Sequence, residues 1–243
     1  MKVLAIDAGN SRIKWGVAED RLWMQVATLA TAEAPALGAA LGGIASPDCI
    51  VVSNVAGATV GAHLEAALAP LQASLRWVRS AAQQCDVRSS YADPAELGSD
   101  RWAALIAARE LFSGPCVVVN AGTAMTVDAL SADGVFLGGF IVPGVKLMHA
   151  ALASSTAQLK VRAGHFSYFP SNTADAIASG GMHALTGAVE RMVRFMAQTG
   201  EGEALVVLSG GDARMLAPQL NARVEVVDNL VLEGLLCIAC DSA

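Results

Sequence analysis

The chain has 243 residues, 54% of them hydrophobic and 16% charged, so it can bury a sizeable core in one large domain or two small ones. No apolar run approaches the ~18 residues of a membrane-spanning helix, and Asp7 interrupts the N-terminal apolar run too early for a signal peptide. The net charge of −6 argues against nucleic acid, whose phosphate backbone favours basic surfaces. These properties predict a cytoplasmic protein that binds neither a membrane nor nucleic acid.

The first half of the chain combines strand-like runs with helical stretches. The runs "VLAID" and "RIKWGVA" predict a hairpin, and "CIVVSNV" over 49–55 predicts a short buried strand. The stretches "VGAHLEAALAPL" and "SDRWAALIAARELF" have the apolar spacing of helices.

The second half repeats this plan. A second hairpin is predicted for "PCVVVN" and "AMTVDAL", followed by "GVFLGGFIVPG". A long helix is predicted for "TADAIASGGMHALTGAVERMVRFM", a strand for "ALVVLSGGD" and an apolar C-terminal helix for "NLVLEGLLCIACDSA". Hairpins that precede helices favour two similar α/β halves over a doubly wound parallel sheet, in which helices separate successive strands.

A polar turn occurs once in each predicted hairpin. Residues 6–11 and 119–124 share one pattern: an apolar strand residue, an acid or its amide, Ala-Gly, and then small residues. The carboxylate of Asp7 in the first turn is the amide of Asn120 in the second. The backbone N–H groups of a Gly-containing turn suit phosphate oxygens, and a carboxylate at a strand end suits Mg²⁺. We therefore expect the two turns to face each other around one polyphosphate, with Lys14 adding positive charge. Ordinary hairpin turns, in which these residue types are also common, are the alternative.

A third polar segment is "ELGSDRWAA", residues 96–104. Gly98 permits a turn, Ser99 is the predicted helix N-cap, and Asp100 with Arg101 begins the helix. An acidic residue in the first turn is favourable through the helix dipole alone. Alternatively, Asp100 accepts a proton from an attacking hydroxyl in phosphoryl transfer, and Arg101 pairs with an anionic substrate or the γ-phosphate. The segment by itself leaves both readings open.

Together, these stretches resemble the type III pantothenate kinase family. Its members carry an Asp-x-Gly-Asn-Thr/Ser turn, a Gly-x-Asp-Arg segment, an Asp-x-Gly-Thr-Ala-x-Thr turn and a Gly-Gly-x-Ile-x-Pro-Gly stretch. In this chain they stand in the same order as "DAGNS", "GSDR", "NAGTAMT" and "GGFIVPG", and "SNTADAI" over 171–177 fits as well.

The resemblance implies an α/β fold of two related ribonuclease-H-like (actin-like ATPase) domains, 1–115 and 116–243, with mixed sheets flanked by helices and a nucleotide cleft between them. It implies ATP-dependent phosphorylation of pantothenate to 4′-phosphopantothenate, the first step of coenzyme A biosynthesis. It further implies a homodimer that needs Mg²⁺ and a monovalent cation, K⁺ or NH₄⁺.

Site residues follow from the resemblance by position. Asp7 would help to organise Mg²⁺, and Asp100 would be the proton acceptor. ATP and Mg²⁺ binding is implied for Asp7, Ala8, Gly9, Asn10, Ser11, Arg12, Ile13, Lys14 and Thr123. Pantothenate binding is implied for Tyr91, Gly98, Ser99, Asp100, Arg101 and Thr173. The structural alternatives are an ordinary loop aromatic at Tyr91 and a helix N-cap at Thr173.

Asn120 departs from the family pattern, which has an aspartate that ligates the monovalent cation. An amide keeps an oxygen ligand but removes a full negative charge, so we expect weaker cation binding. Either the kinase is active with altered cation handling, or the protein has kept the fold and lost activity. The intact Asp7 and Asp100 favour an active kinase. The alternatives are a non-catalytic nucleotide-binding accessory or regulatory protein of transcription, and an actin-like kinase for another small hydroxy acid.

Overall fold

The computed structural model describes residues 1–155 and 163–241. The chain forms two compact units. The first contains Met1–Ser113, Gly134–Phe136 and Asn229–Ala243, and the second contains Gly114–Asp133 and Leu137–Asp228.

The elements up to residue 113 begin with three consecutive strands and end with a helix. In chain order they are β1 (Lys2–Ala8), β2 (Arg12–Glu19), β3 (Leu22–Ala30), α1 (Leu37–Ala40), β4 (Cys49–Asn54), α2 (Ala58–Leu68), β5 (Ser74–Trp77), β6 (Gln83–Gln84), β7 (Val87–Ser89) and α3 (Ser99–Leu111). Short 3₁₀ helices cover Thr31–Ala36, Ala69–Leu71 and Pro94–Glu96.

The remaining elements begin with the second hairpin and end with an apolar helix. They are β8 (Cys116–Ala121), β9 (Ala124–Leu130), β10 (Val135–Pro143), α4 (Val145–Ser155), α5 (Thr173–Gln198), β11 (Leu205–Ser209), α6 (Ala213–Leu216), β12 (Val224–Val226) and α7 (Leu230–Cys240). A further 3₁₀ helix covers Ala217–Gln219.

Each unit is built on a sheet with the same strand order. The strand order of the first sheet is β3-β2-β1-β4-β5. The second sheet contains the order β10-β9-β8-β11-β12, in which each strand corresponds to the one at the same place in the first sheet. In the first sheet, β1 is antiparallel to β2 and parallel to β4, and β4 is parallel to β5. In the second, β8 is likewise antiparallel to β9 and parallel to β11, and β11 is parallel to β12. The first two residues of β10 belong to the first unit, where they pair with β7. The repeated turn is therefore one part of a repeated sheet topology.

Apolar side chains account for the core of each unit. In the first, β1, β2 and β4 pack with α1 and α2, and in the second, β8, β9 and β11 pack with α5. The first unit also contains α7, a helix that is apolar almost all round and is buried accordingly. Gly234 lets α7 approach α3 closely, because a Cβ there would overlap the backbone carbonyl of Ala103.

The predicted fold class is confirmed: the protein is a mixed α/β protein with two sheets flanked by helices. Both hairpins, the buried strand β4, the long helix α5 and the late strand β11 lie where the sequence predicts them. The C-terminal helix α7 lies in the first unit. The boundaries of two related domains, 1–115 and 116–243, stay a prediction. None of the helices in the described part of the chain is long and apolar enough to cross a membrane.

Candidate active site

The first polar turn joins β1 to β2 in the first unit. The N–H of Gly9 donates to the carbonyl of Arg12 at 3.0 Å and closes the turn. Its tip, Asn10, Ser11 and Arg12, is exposed. The side chains on either side of this tip, Ala8 and Ile13, are buried, so these two predicted ATP-binding residues offer a ligand only their backbone.

Asp7 lies at the end of β1, opposite Lys14 of β2 and Ser53 of β4 in the strand register. Its Oδ1 atom is buried and has no hydrogen-bond partner among the described residues. Burial first, and then the neighbouring Asp100 carboxylate, raise the pKa of Asp7 to about 7, while Lys14 opposes the shift. A buried carboxylate oxygen without a partner is costly, and a hard cation relieves that cost.

This environment fits Mg²⁺. Asp7 offers the unpartnered oxygen, and the described residues contain no group of three or more His, Cys, Asp or Glu side chains that could hold a metal. Mg²⁺ commonly takes only one or two protein carboxylates and completes its shell with water and phosphate oxygens. Asp7 is therefore a suitable single protein ligand, directly or through water.

Asp100 lies in the first turn of α3. Its Oδ1 accepts a hydrogen bond of 2.8 Å from the N–H of Arg101. Burial raises the pKa of Asp100, against the opposing effects of backbone hydrogen bonds and the Arg101 charge. A Cβ at position 98 would lie 2.6 Å from this Oδ1, so Gly98 leaves the space that the carboxylate occupies.

The prediction that Ser99 is the N-cap of α3 is wrong. The N-cap is Gly98, without a side-chain capping bond, and Ser99 is the first helical residue. The Ser99 hydroxyl shares a hydrogen bond of 2.8 Å with the hydroxyl of Ser53 instead. The Ser99 hydroxyl thus bonds to a residue that is distant in sequence, and it does not cap a free N–H group of the helix.

Two predicted pantothenate-binding residues, Tyr91 and Arg101, contact the same aromatic ring. The Arg101 side chain is nearly buried, with its guanidinium carbon 5.9 Å from the ring centroid of Phe136. The Tyr91 ring lies 5.0 Å from Phe136, centroid to centroid. Phe136 was not predicted as a site residue, because one aromatic residue in an apolar strand gives no signal beyond core packing.

The second polar turn joins β8 to β9 in the second unit. The N–H of Gly122 donates to the carbonyl of Ala124 at 3.1 Å. The N–H of Gly144 donates to the carbonyl of Thr123 at 2.9 Å. A Cβ at Gly144 would overlap the Gly122 carbonyl oxygen, which explains why "GGFIVPG" ends in glycine. Thr123, a predicted ATP contact, is exposed on this turn.

Asn120 occupies the position in β8 that Asp7 occupies in β1. It is half-buried and lies in register between Thr126 of β9 and Ser209 of β11. These three side chains offer oxygen atoms without formal charge. They therefore suit a monovalent cation less well than a carboxylate at position 120 would.

Thr173 is the first residue of α5, in the second unit, and the N-cap alternative for it is wrong. The N-cap is Asn172, whose Oδ1 accepts a hydrogen bond of 3.0 Å from the N–H of Asp175. Thr173 instead lines a largely apolar cavity of about 550 Å³ beside α4 and α5. The other predicted pantothenate-binding residues belong to the first unit.

The sequence model of the type III pantothenate kinase family matches residues 3–195, which is most of the chain. The chain belongs to this family. The type III pantothenate kinase of Nitrosospira multiformis is 46% identical over 241 residues, covering 99% of this chain and 92% of the relative. The type III pantothenate kinase of Azoarcus sp. is 48% identical over 243 residues, covering 99% of this chain and 92% of the relative.

Solved structures show the same fold at lower identity. A Campylobacter jejuni protein assigned provisionally to a Baf family of transcriptional activators superposes with a TM-score of 0.64 at 22% identity, over 98% of each chain. The activator of 2-hydroxyisocaproyl-CoA dehydratase from Clostridium difficile, with bound ADPNP, has a TM-score of 0.54 at 15% identity, over 98% of this chain and 93% of its own. Such neighbours confirm the actin-like ATPase and sugar kinase fold.

Proposed function

We propose that the chain transfers the γ-phosphoryl group of ATP to pantothenate and forms 4′-phosphopantothenate, the first step of coenzyme A biosynthesis. Membership of the type III pantothenate kinase family supports this reaction. The observation that carries the chemistry is the grouping of Asp7, Lys14 and Asp100. Asp7 lies opposite Lys14 near the end of β1, and the Asp100 carboxylate raises the pKa of Asp7. Phosphoryl transfer requires mainly positioning and charge stabilisation, and this grouping supports both.

Asp100 is the proton acceptor in this proposal. The 4′-hydroxyl of pantothenate gives its proton to the carboxylate as its oxygen bonds to the γ-phosphorus, and the bond to the β,γ-bridging oxygen breaks to release ADP. Burial supports the role, because a pKa moved toward the working pH makes a carboxylate a better base. Arg101 pairs with the pantothenate carboxylate in a charge-assisted contact. Phe136 lies beside the guanidinium, and Tyr91 packs on Phe136 in turn.

The first turn binds the ATP phosphates through the backbone N–H groups around Gly9 and the Lys14 ammonium. Asp7 holds Mg²⁺, directly or through water. When bound, the ion neutralises charge on the β- and γ-phosphate oxygens. Thr123 contributes a further ATP contact from the second turn.

A monovalent cation, K⁺ or NH₄⁺, binds weakly at Asn120 in this proposal. The amide and its hydroxyl neighbours Thr126 and Ser209 support an oxygen site without a full negative charge. The kinase therefore needs more of the cation than a relative with aspartate at this position.

We further propose a cytoplasmic homodimer without a nucleic-acid partner. Exposed apolar side chains of the second unit support self-association, because soluble monomers rarely expose many large apolar groups together. They include Ile141, Leu147, Tyr168 and Phe169. The acidic net charge supports the absence of nucleic acid.

The acceptor is tested by measuring ADP release with pantothenate and with other small hydroxy acids, such as pantoate and glycerate. We expect pantothenate to give the highest kcat/KM by at least tenfold, because in this proposal Arg101 and Tyr91 recognise pantothenate in preference to shorter hydroxy acids. A higher kcat/KM for another acid would reassign the substrate. ATP binding without turnover on any acceptor would favour a regulatory role.

A further inference from the structure

We propose that Ser53 and Ser80 are positioning residues that hold the first turn of α3, and with it Asp100, in place for phosphoryl transfer. Neither serine belongs to the polar segments that the sequence singles out. The inference rests on the proposed kinase reaction, since it assigns the two hydroxyls to the segment that carries the proton acceptor.

Ser53 connects the strand beside Asp7 to the helix that carries Asp100. It lies on β4, in register with Asp7 of β1, and its side chain is completely buried. Its hydroxyl shares the 2.8 Å hydrogen bond with the hydroxyl of Ser99, which immediately precedes Asp100. One partly buried hydrogen bond therefore links β4, the neighbour of β1, to the start of α3.

Ser80 holds the same segment from its other side. Its hydroxyl, also buried, donates a hydrogen bond of 2.8 Å to the carbonyl of Leu97, and the carbonyl of Gly98 lies 3.5 Å away. The two serines therefore hold three consecutive residues directly before Asp100. Ser80 bonds to the main chain of Leu97 and Gly98, and Ser53 bonds to the side chain of Ser99.

The start of this segment requires such support. The N-cap of α3 is Gly98, which lacks a side-chain cap and adds backbone freedom. The serine hydrogen bonds to Leu97 and Ser99, on either side of Gly98, restrict that freedom and so keep Asp100 in place.

Loss of either hydroxyl should affect turnover more than nucleotide binding. A misplacement of about 1 Å costs up to roughly 100-fold in rate, whereas the ATP-binding turn is held by its own contacts. We expect Ser53→Ala and Ser80→Ala to lower kcat by about tenfold each with the KM for ATP unchanged. Ser53→Thr keeps a hydroxyl and should retain kcat within about twofold.

The test is a double-mutant cycle of Ser53→Ala and Ser99→Ala, with kcat, both KM values and Tm measured for each protein. If Ser53 acts through Ser99, Ser53→Ala has no further effect on kcat once Ser99 is alanine. Thr186→Val is the matched control, because it also removes a buried hydroxyl, which donates to the Met182 carbonyl at 3.0 Å within α5. This control should lower Tm to a similar extent and leave kcat unchanged.

Wild-type kcat in Ser53→Ala and Ser80→Ala would overturn the inference, as would fully additive losses in the cycle. A fall in kcat of the same size in Thr186→Val would overturn it too, because the effect would then be one of general stability. If Ser53→Ala fails to fold, Ser53→Thr and Ser80→Ala decide the matter. Failure of the kinase proposal is distinct, since the wild-type protein would then form no phosphopantothenate in the same assay.

Discussion

The β1–β2 and β8–β9 turns occupy equivalent places in two sheets of the same strand order, yet their chemistry differs. In the first unit, Asp7 lies opposite Lys14 and is influenced by the Asp100 carboxylate. In the second unit, Asn120 lies opposite Thr126, and both are uncharged. The scaffold is thus used twice, with charged groups at the first turn and neutral hydrogen-bonding groups at the second.

The difference shows what the scaffold itself supplies. Both turns are closed by a glycine N–H that bonds back to the hairpin, so the same backbone geometry is common to the two units. Charge is added separately by side chains, and in the proposed reaction the charged side chains favour Mg²⁺ at the first turn. Each of the following changes removes or adds one such feature.

The largest expected effect comes from removing the proposed proton acceptor in the first unit. Asp100→Asn should lower kcat by about 10²–10⁴-fold, because a positioned general base contributes that much to rate. Its Tm should not fall, since the variant removes a carboxylate whose ionised form is disfavoured by burial. Steady-state kinetics and thermal unfolding check both parts, and near-normal turnover would exclude Asp100 from its role.

Asp7→Asn tests the electrostatic cost of the charged turn. The pKa of Asp7 is raised to about 7, so the folded protein holds a proton that the unfolded chain releases near pH 4. Wild-type stability therefore falls as pH rises from about 4 to 7, by up to about 4 kcal/mol, and the asparagine variant escapes this loss. Denaturant unfolding in EDTA at several pH values measures the free energy of unfolding of both proteins. A difference in this free energy that does not change with pH would contradict the prediction.

Gly144→Ala tests the backbone of the neutral turn. The new Cβ overlaps the carbonyl oxygens of Gly122 and Thr123, so we expect a loss of about 1–3 kcal/mol in the free energy of unfolding. Gly187→Ala in α5 is the control, because a Cβ there meets nothing within 4 Å and alanine favours the helix. Equal stability of the two variants would show that the contact with the turn is unimportant.

Asn120→Asp should make the second turn more like the first, and its effect is the smallest. A restored carboxylate should strengthen activation by potassium about tenfold, which corresponds to ~1.4 kcal/mol. The control is Asn221→Asp, which adds the same charge at an exposed position of the second unit. Potassium titrations of kcat provide the readout, and unchanged cation dependence in Asn120→Asp would refute the assignment.

Local sequence patterns predicted most of the fold, and the exceptions have physical causes. The hairpins and the long helices follow from apolar periodicity within each segment. The edge strand β3 was missed because Leu22, Met24 and Val26 are exposed, so apolar residues occupy both faces and alternation is lost. β12 has only three residues, too few for a pattern.

The site was predictable only where a motif is contiguous. Asp7 and Asp100 stand in short polar segments that a resemblance can identify. Phe136, Ser53 and Ser80 lie in other segments of the chain. The residues next to them in sequence do not indicate that folding brings them into contact with Arg101, Ser99 and Leu97. The incorrect N-cap at Ser99 has the same origin, because its partner lies on β4, 46 residues earlier.

The most direct test of the kinase proposal is mass spectrometry of the products from purified protein, ATP, Mg²⁺ and pantothenate, with potassium, ammonium or sodium as the only monovalent cation. We predict phosphopantothenate from the wild-type protein, with activation that requires a high concentration of potassium or ammonium, and at least about 100-fold less product from Asp100→Asn in the same time. Absence of phosphopantothenate under every cation, with ATP binding still detectable, would contradict the proposed reaction.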